Sequence, residues 1–141
     1  GRYEVSDDVK SKISELFWAG CCSDEETKAQ IKSTFENYNY LLDTHTAVAA
    51  KVCEDYRRAT GDQTKTVIAS TANPYKFSGA VYEAVGGNVS EDEWQNIAGL
   101  EEKTGTKMPA PLAATKDKEI RFTGSVEKQE MPEVVCGFLK S

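Results

Sequence analysis

An α/β fold, with helix-rich layers around a small, mostly parallel sheet, is what this sequence predicts, and three observations carry the expectation. Capped segments with apolar residues at helical spacing recur along the chain. One short, almost continuously apolar run, residues 66–70 (Thr-Val-Ile-Ala-Ser), reads as a strand covered on both faces. That run lies between two helical patterns, the order that builds parallel β-layers. At 141 residues the chain fits one domain, 1–141, able to bury a working core without disulfides or metals.

Each element has its own signal. Ser6 caps a helix with Asp7 and Asp8 in its first turn, where negative charge suits the helix dipole. Val9, Ile13, Leu16 and Phe17 form its expected core-facing stripe, and Gly20 closes it. Ser23 and Glu26 make a capping box for a second helix, striped by Ile31, Phe35 and Tyr38 and stopped at Asn39. Residues 47–60 read as a third helix ended by Gly61. After the predicted strand, Asn73 caps a helix whose first position is Pro74, because proline's fixed φ and missing N–H suit that place. Phe77, Val81 and Val85 follow, up to Gly86-Gly87. Ser90 and Glu93 read as a second capping box, ahead of Trp94, Ile97 and Leu100 and the stop at Gly105. Pro109-Ala110-Pro111 reads as an extended connection, 119–123 as a weaker strand, and Val134, Val135, Phe138 and Leu139 as the stripe of a last helix near Met131 or Pro132.

Composition excludes several functions. With 17 Lys and Arg against 23 Asp and Glu, the net charge of -6 offers no footprint for a nucleic-acid backbone or an anionic membrane. No apolar run reaches the roughly 20 residues that span a bilayer, and the opening GRYEVSDDVK holds no apolar signal segment, so a cytoplasmic chain is expected. Cys21, Cys22, Cys53 and Cys136 are unevenly spaced, and one histidine is present, so reduced thiols and no metal site are expected. No Ser/His/Asp order and no P-loop is visible.

Two polar stretches are left as candidate sites. Ser70-Thr71-Ala72-Asn73-Pro74-Tyr75-Lys76 puts hydroxyls and a lysine at a predicted strand-to-helix corner, where open α/β sheets bind ligands. Ser70 and Thr71 can exchange hydrogen bonds with a cofactor heteroatom, Asn73 can cap or bind, and Lys76 can meet a carboxylate or phosphate. Asp43-Thr44-His45-Thr46-Ala47 places the only histidine, His45, and Thr46 at a second helix start.

Taken with Val67-Ile68-Ala69, Phe77 and the opening Gly1-Arg2-Tyr3-Glu4, these stretches resemble the C-terminal part of threonine synthase. The end, from Ile120-Arg121-Phe122 through Glu133-Val134-Val135, is similar to that family's end. The resemblance runs along the whole chain and covers about the last third of a family member. It implies a partial fold type II domain of a pyridoxal 5'-phosphate enzyme, a carbon-oxygen lyase that converts O-phosphohomoserine and water to threonine and phosphate. The family's Schiff-base lysine and glycine-rich phosphate loop lie upstream of the matched part, and neither motif occurs in these 141 residues, so no catalytic residue is assigned here. Thr71, with Ser70 beside it, matches the hydroxyl that bonds the pyridine nitrogen. Such a neutral partner leaves that nitrogen unprotonated and moderates the electron sink. His45 and Thr46 then line the substrate side, with Asn73 and Lys76, the latter toward an anionic group. The remainder of the parent enzyme and a phosphorylated amino acid are the implied partners, and the isolated chain is expected to be inactive. A non-catalytic small-anion binding module and an interaction domain are the alternatives.

Overall fold

The computed structural model describes residues 2–140, and its local structure follows the caps rather than the expected sheet. The α-helices are α1 (Asp7–Leu16), α2 (Asp24–Tyr38), α3 (Thr44–Thr60), α4 (Ser78–Ala84), α5 (Glu93–Thr104), α6 (Ala110–Ala113) and α7 (Met131–Lys140), with a 3-10 turn, Pro74–Phe77, leading into α4. No strand occurs among the described residues. The α/β expectation, and with it the parallel-sheet core of a partial fold type II domain, is therefore corrected to an all-helical arrangement.

The physical reason is pairing. A strand exists through ladder hydrogen bonds to a neighbour, and residues 66–70 run extended without one, with Val67 95% exposed. Residues 119–123, the other expected strand, are also irregular and exposed. Apolar content identified a segment suited to a sheet; it did not supply the second strand.

The described chain divides into two compact units between Met108 and Pro109. In the first, α2 packs on α3, α4 on α5, and α2 on α4. Ile31, Ala47, Val81 and Leu100, one from each of these helices, have no exposed surface. Polar ties join the same helices: buried Ser78 donates to Glu93 Oε1 at 2.5 Å, and Lys28 pairs with Glu83 at 2.8 Å. The second unit holds α6 and α7.

The caps decide the boundaries. Ser23 and Glu26 form the expected box, with Glu26 N donating to Ser23 Oγ at 3.2 Å and Ser23 N to Glu26 Oε2 at 2.8 Å. Asn39, at φ 52°, ends α2 in the left-handed conformation that asparagine tolerates. The second expected box does not form. Asp92 caps α5 by accepting from Trp94 N at 2.9 Å, Ser90 Oγ accepts from Asp92 N, and Glu93 turns to Ser78. Residues 109–111 are not an extended connection, since proline suits a first helical turn and α6 begins there.

The stripes of α1 and α7 also differ from expectation, because neither helix contains a buried residue, and Leu16 is 81% exposed. An apolar stripe states which face favours burial, and the four helices of the first core already cover one another. The turn after α1 does pack. Trp18 meets Tyr56 of α3 edge-on at 5.3 Å, and a Cβ on Gly20 would come within 2.9 Å of Val52. No helix among the described residues is long and apolar enough to cross a membrane.

One close approach fixes the exit from α4. A Cβ on Gly87 would fall 2.5 Å from Tyr82 Cγ, too near the root of the ring for the side chain to swing clear. Gly87→Ala is expected to destabilise the first unit by about 1–3 kcal/mol through overpacking, although alanine normally restricts the unfolded chain favourably. Urea unfolding checks this, and adding Tyr82→Ala should remove most of the penalty specific to the alanine at position 87.

Candidate functional site

The start of α3 is built around a carboxylate. The Asp43 side chain has no exposed surface, and such a group needs donors on every side. It accepts from His45 N at 2.9 Å, from Thr46 N at 3.2 Å and from the Thr46 hydroxyl. Capping by Asp43 starts α3 at Thr44, three residues before the predicted 47. This places His45 and Thr46 on the first turn, with Thr46 buried and His45 exposed. The His45 ring lies 3.3 Å from Thr44 Oγ1 and packs 5.0 Å from the Phe77 ring.

The second candidate stretch comes to the same turn. Thr46 Oγ1 and Ser70 Oγ are 3.3 Å apart, and Ser70 Oγ lies 3.4 Å from the Ala72 carbonyl. Thr71, exposed, has no hydrogen-bond partner among the described residues. Asn73 caps the 3-10 turn as expected, its Oδ1 accepting from Tyr75 N at 3.0 Å, and Pro74 follows at the first turn position. Lys76 is exposed, and only its backbone N–H is engaged, by Asn73 O at 3.0 Å. Buried Tyr75 anchors the corner, its hydroxyl 2.8 Å from Thr106 Oγ1 beyond α5.

The approach to the corner is fastened at the other end of α3. Arg57 donates from Nη2 to Thr64 O at 3.0 Å and to Thr66 Oγ1 at 3.2 Å, while Tyr56 donates to Asp62 at 2.8 Å. Hydrogen bonds from Thr64, side chain then backbone, and from Tyr56 lower the Asp62 pKa from 3.8 to about 2. The extended run 64–70 thus lies between two attachments to one helix.

Two clefts flank this geometry. A cavity of about 570 Å³ between α2, α3 and α4 is lined by His45, Thr44, Lys28 and Glu83. A cavity of about 300 Å³ is lined by Ser70, Asn73 and Tyr75 together with Tyr40, Thr106 and Lys107. The candidates are therefore divided: substrate-side His45 lines the larger cleft, while substrate-side Asn73 and the cofactor-binding candidate Ser70 line the smaller. Sequence reasoning missed Tyr40, Thr106 and Lys107. Only the polar Thr-Gly-Thr-Lys stretch after α5 hinted at the last two, and their proximity comes from the Tyr75 anchor.

The family model described as "Threonine synthase, C-terminal" matches residues 46–134, well over half of the chain. The chain belongs to the threonine synthase C-terminal family. It is 35% identical over 94 residues to the threonine synthase of Saccharomyces cerevisiae, covering 62% of this chain and 18% of that protein. It is 32% identical over 84 residues to the threonine synthase of Pseudomonas aeruginosa, covering 60% of this chain and 18% of that protein. Human threonine synthase-like 1 is 34% identical over 83 residues, 59% of this chain and 11% of that protein. The matched stretches span between 11% and 18% of the length of these relatives. Within this threonine synthase C-terminal chain, the matched span contains Thr46, Ser70, Thr71, Asn73 and Lys76 and starts one residue after His45.

The Asp62 clamp has a signed consequence. Its folded pKa is depressed, so the stability it contributes is complete above the ordinary carboxylate value of 3.8 and disappears as pH falls through about 2. Asp62→Asn is expected to be less stable than the wild type at neutral pH, and the gap should close over that acid window. Urea unfolding at a series of pH values measures it, and an undiminished gap at the acid end would contradict the clamp.

Proposed function

We propose that this chain is the C-terminal segment of a pyridoxal 5'-phosphate-dependent threonine synthase, a carbon-oxygen lyase of the cytoplasm. The reaction converts O-phosphohomoserine and water to threonine and phosphate: the Cγ–O bond breaks, phosphate leaves, and water supplies the new hydroxyl at Cβ. The observation that carries this reading is that the family match encloses the corner where Ser70 and Thr71 stand together, with the Thr71 hydroxyl uncommitted.

That corner fits the ring-nitrogen end of the cofactor. A neutral hydroxyl free to donate is the group an unprotonated aromatic nitrogen requires, and Thr71 has one, with Ser70 at its side. When bound, the cofactor supplies an electron-withdrawing ring conjugated to the amino-acid substrate. Thr71 orients the ring by its hydrogen bond, and His45 and Thr46 form the wall on the substrate side. Lys76, with no counter-ion among the described residues, holds an anionic group. Asn73 shapes the corner through its cap to Tyr75. The lysine and phosphate loop that anchor the cofactor belong to the remainder of the parent polypeptide, so the chain alone does not turn over substrate.

Two measurements test this. In the longer enzyme, Thr71→Val should lower kcat about ten- to a hundredfold, the weight of one hydrogen bond to a reacting system, with the fold retained. For the isolated chain, borohydride reduction in the presence of stoichiometric pyridoxal 5'-phosphate, followed by peptide mass spectrometry, should label no lysine selectively. Selective labelling of Lys76, abolished by Lys76→Ala, would show that this chain carries its own anchoring lysine and would overturn the segment reading.

A further inference from the structure

We infer that Thr106, just past the end of α5, is a positioning residue for the ligand corner: a one-way chain of three hydroxyls, from Tyr75 through Thr106 to Thr104, holds Thr71 in place. Each hydroxyl carries one proton, and a backbone carbonyl has none to give. The Thr104 proton therefore goes to Leu100 O at 2.6 Å. The Thr104–Thr106 contact at 2.8 Å is then made by the Thr106 proton, and the Tyr75–Thr106 contact at 2.8 Å by the Tyr75 phenol. Every donor in this order has an acceptor. The reverse order would set the Thr104 lone pairs against those of Leu100 O.

The turn after α5 holds the receiving end still. Gly105 ends the helix at φ 68°, the left-handed region that glycine enters without strain. Glu101 spans the turn, its carbonyl accepting from Gly105 N at 2.9 Å and its Oε1 from Met108 N at 2.8 Å. Thr106 N also donates to Thr104 Oγ1 at 3.3 Å. At the other end, buried Tyr75 sits in a 3-10 turn of four residues, a form with poor hydrogen-bond geometry of its own. Ser70 is tied to α3 through Thr46, and Tyr75 to the end of α5, so Thr71 lies between two anchors. With no partner itself among the described residues, it takes its place from them. The consequence for turnover rests on the reading of Thr71 above; the hydroxyl chain does not.

Thr106→Val removes the acceptor of the Tyr75 phenol, and Thr106→Ser keeps it. In the chain without cofactor, amide exchange by NMR should be about three- to tenfold faster at Tyr75 and Lys76 in Thr106→Val, the weight of one hydrogen bond, and unchanged in Thr106→Ser. Those two N–H groups bond to Asn73 at the corner, whereas Ala47 N, bonded to Asp43 O on α3, should keep its protection. Unchanged exchange at Tyr75 and Lys76, or loss of protection at Ala47 as well, overturns the proposal. The Raman tyrosine doublet, taken as wild type minus Tyr75→Phe, should show a donating phenol, and an accepting one overturns the order of the chain. In the longer enzyme, Thr106→Val should lower kcat about three- to tenfold, with Thr106→Ser restoring it. Placed on Thr71→Val, the same change should cost less than about twofold, because no hydroxyl is left to misplace. An equal loss in both backgrounds marks a general effect on the fold and overturns positioning. The exchange measurement does not touch the cofactor reading, which fails instead by lysine labelling or by an unaltered kcat in Thr71→Val alone.

Discussion

The fully buried carboxylate of Asp43 is the constraint around which this site is arranged. A charge taken out of water is tolerated only where donors replace the lost hydration, and here all of them come from the next three residues: two backbone N–H groups and the Thr46 hydroxyl. Satisfying the carboxylate and starting α3 are thus one event. The turn that results leaves His45 at the surface beside Phe77 and sinks Thr46 into the interior, where it meets Ser70 from a segment 24 positions away. A helix cap of ordinary type does more here than start a helix, because its side chain also reaches Ser70 through one intervening hydroxyl.

What was readable in the sequence and what was not divide along the range of the interactions. Caps are local, and Ser6, Ser23 with Glu26, Asn73 with Pro74, Gly61 and Gly105 all stand where their chemistry places them. Ser90 and Glu93 show where local reasoning loses. Glu93 had a choice between its own helix start and the hydroxyl of buried Ser78, and a tertiary partner that would otherwise be left without a hydrogen bond prevailed. The strand at 66–70 failed for the same kind of reason, since Val67 and Ile68 report suitability for a sheet and pairing is a property of two segments. The apolar stripes of α1 and α7 likewise name a preference that the described residues do not fulfil. In the candidate site, Thr46, Ser70 and Asn73 were legible from polar residues at predicted element ends. Tyr40, Thr106 and Lys107 were not, because they enter through the Tyr75–Thr106 hydrogen bond, 31 positions apart.

The run 64–70 keeps an extended path although no second strand supports it, and α3 explains how. Thr46 and Arg57 are 11 positions apart on the helix, roughly 16 Å at helical rise. Their respective partners, Ser70 and Thr66, are four positions apart, roughly 13 Å when extended, and Thr64, also bonded by Arg57, adds reach beyond that. The helix and the run therefore match in length and oppose in direction, so attachment at the two ends holds the middle straight. Arg57 carries the cost of this arrangement, for its Nε is buried without a hydrogen-bond partner among the described residues, a loss of about 1–3 kcal/mol for a group of this kind. Nη2 spans Thr64 and Thr66 only with the guanidinium plane turned to the run. The orphaned Nε follows from that orientation, and the same orientation fixes the segment that ends in Ser70 and Thr71. The Arg57 and Thr46 attachments at the two ends of α3 thus place the segment that carries the Ser70 and Thr71 hydroxyls.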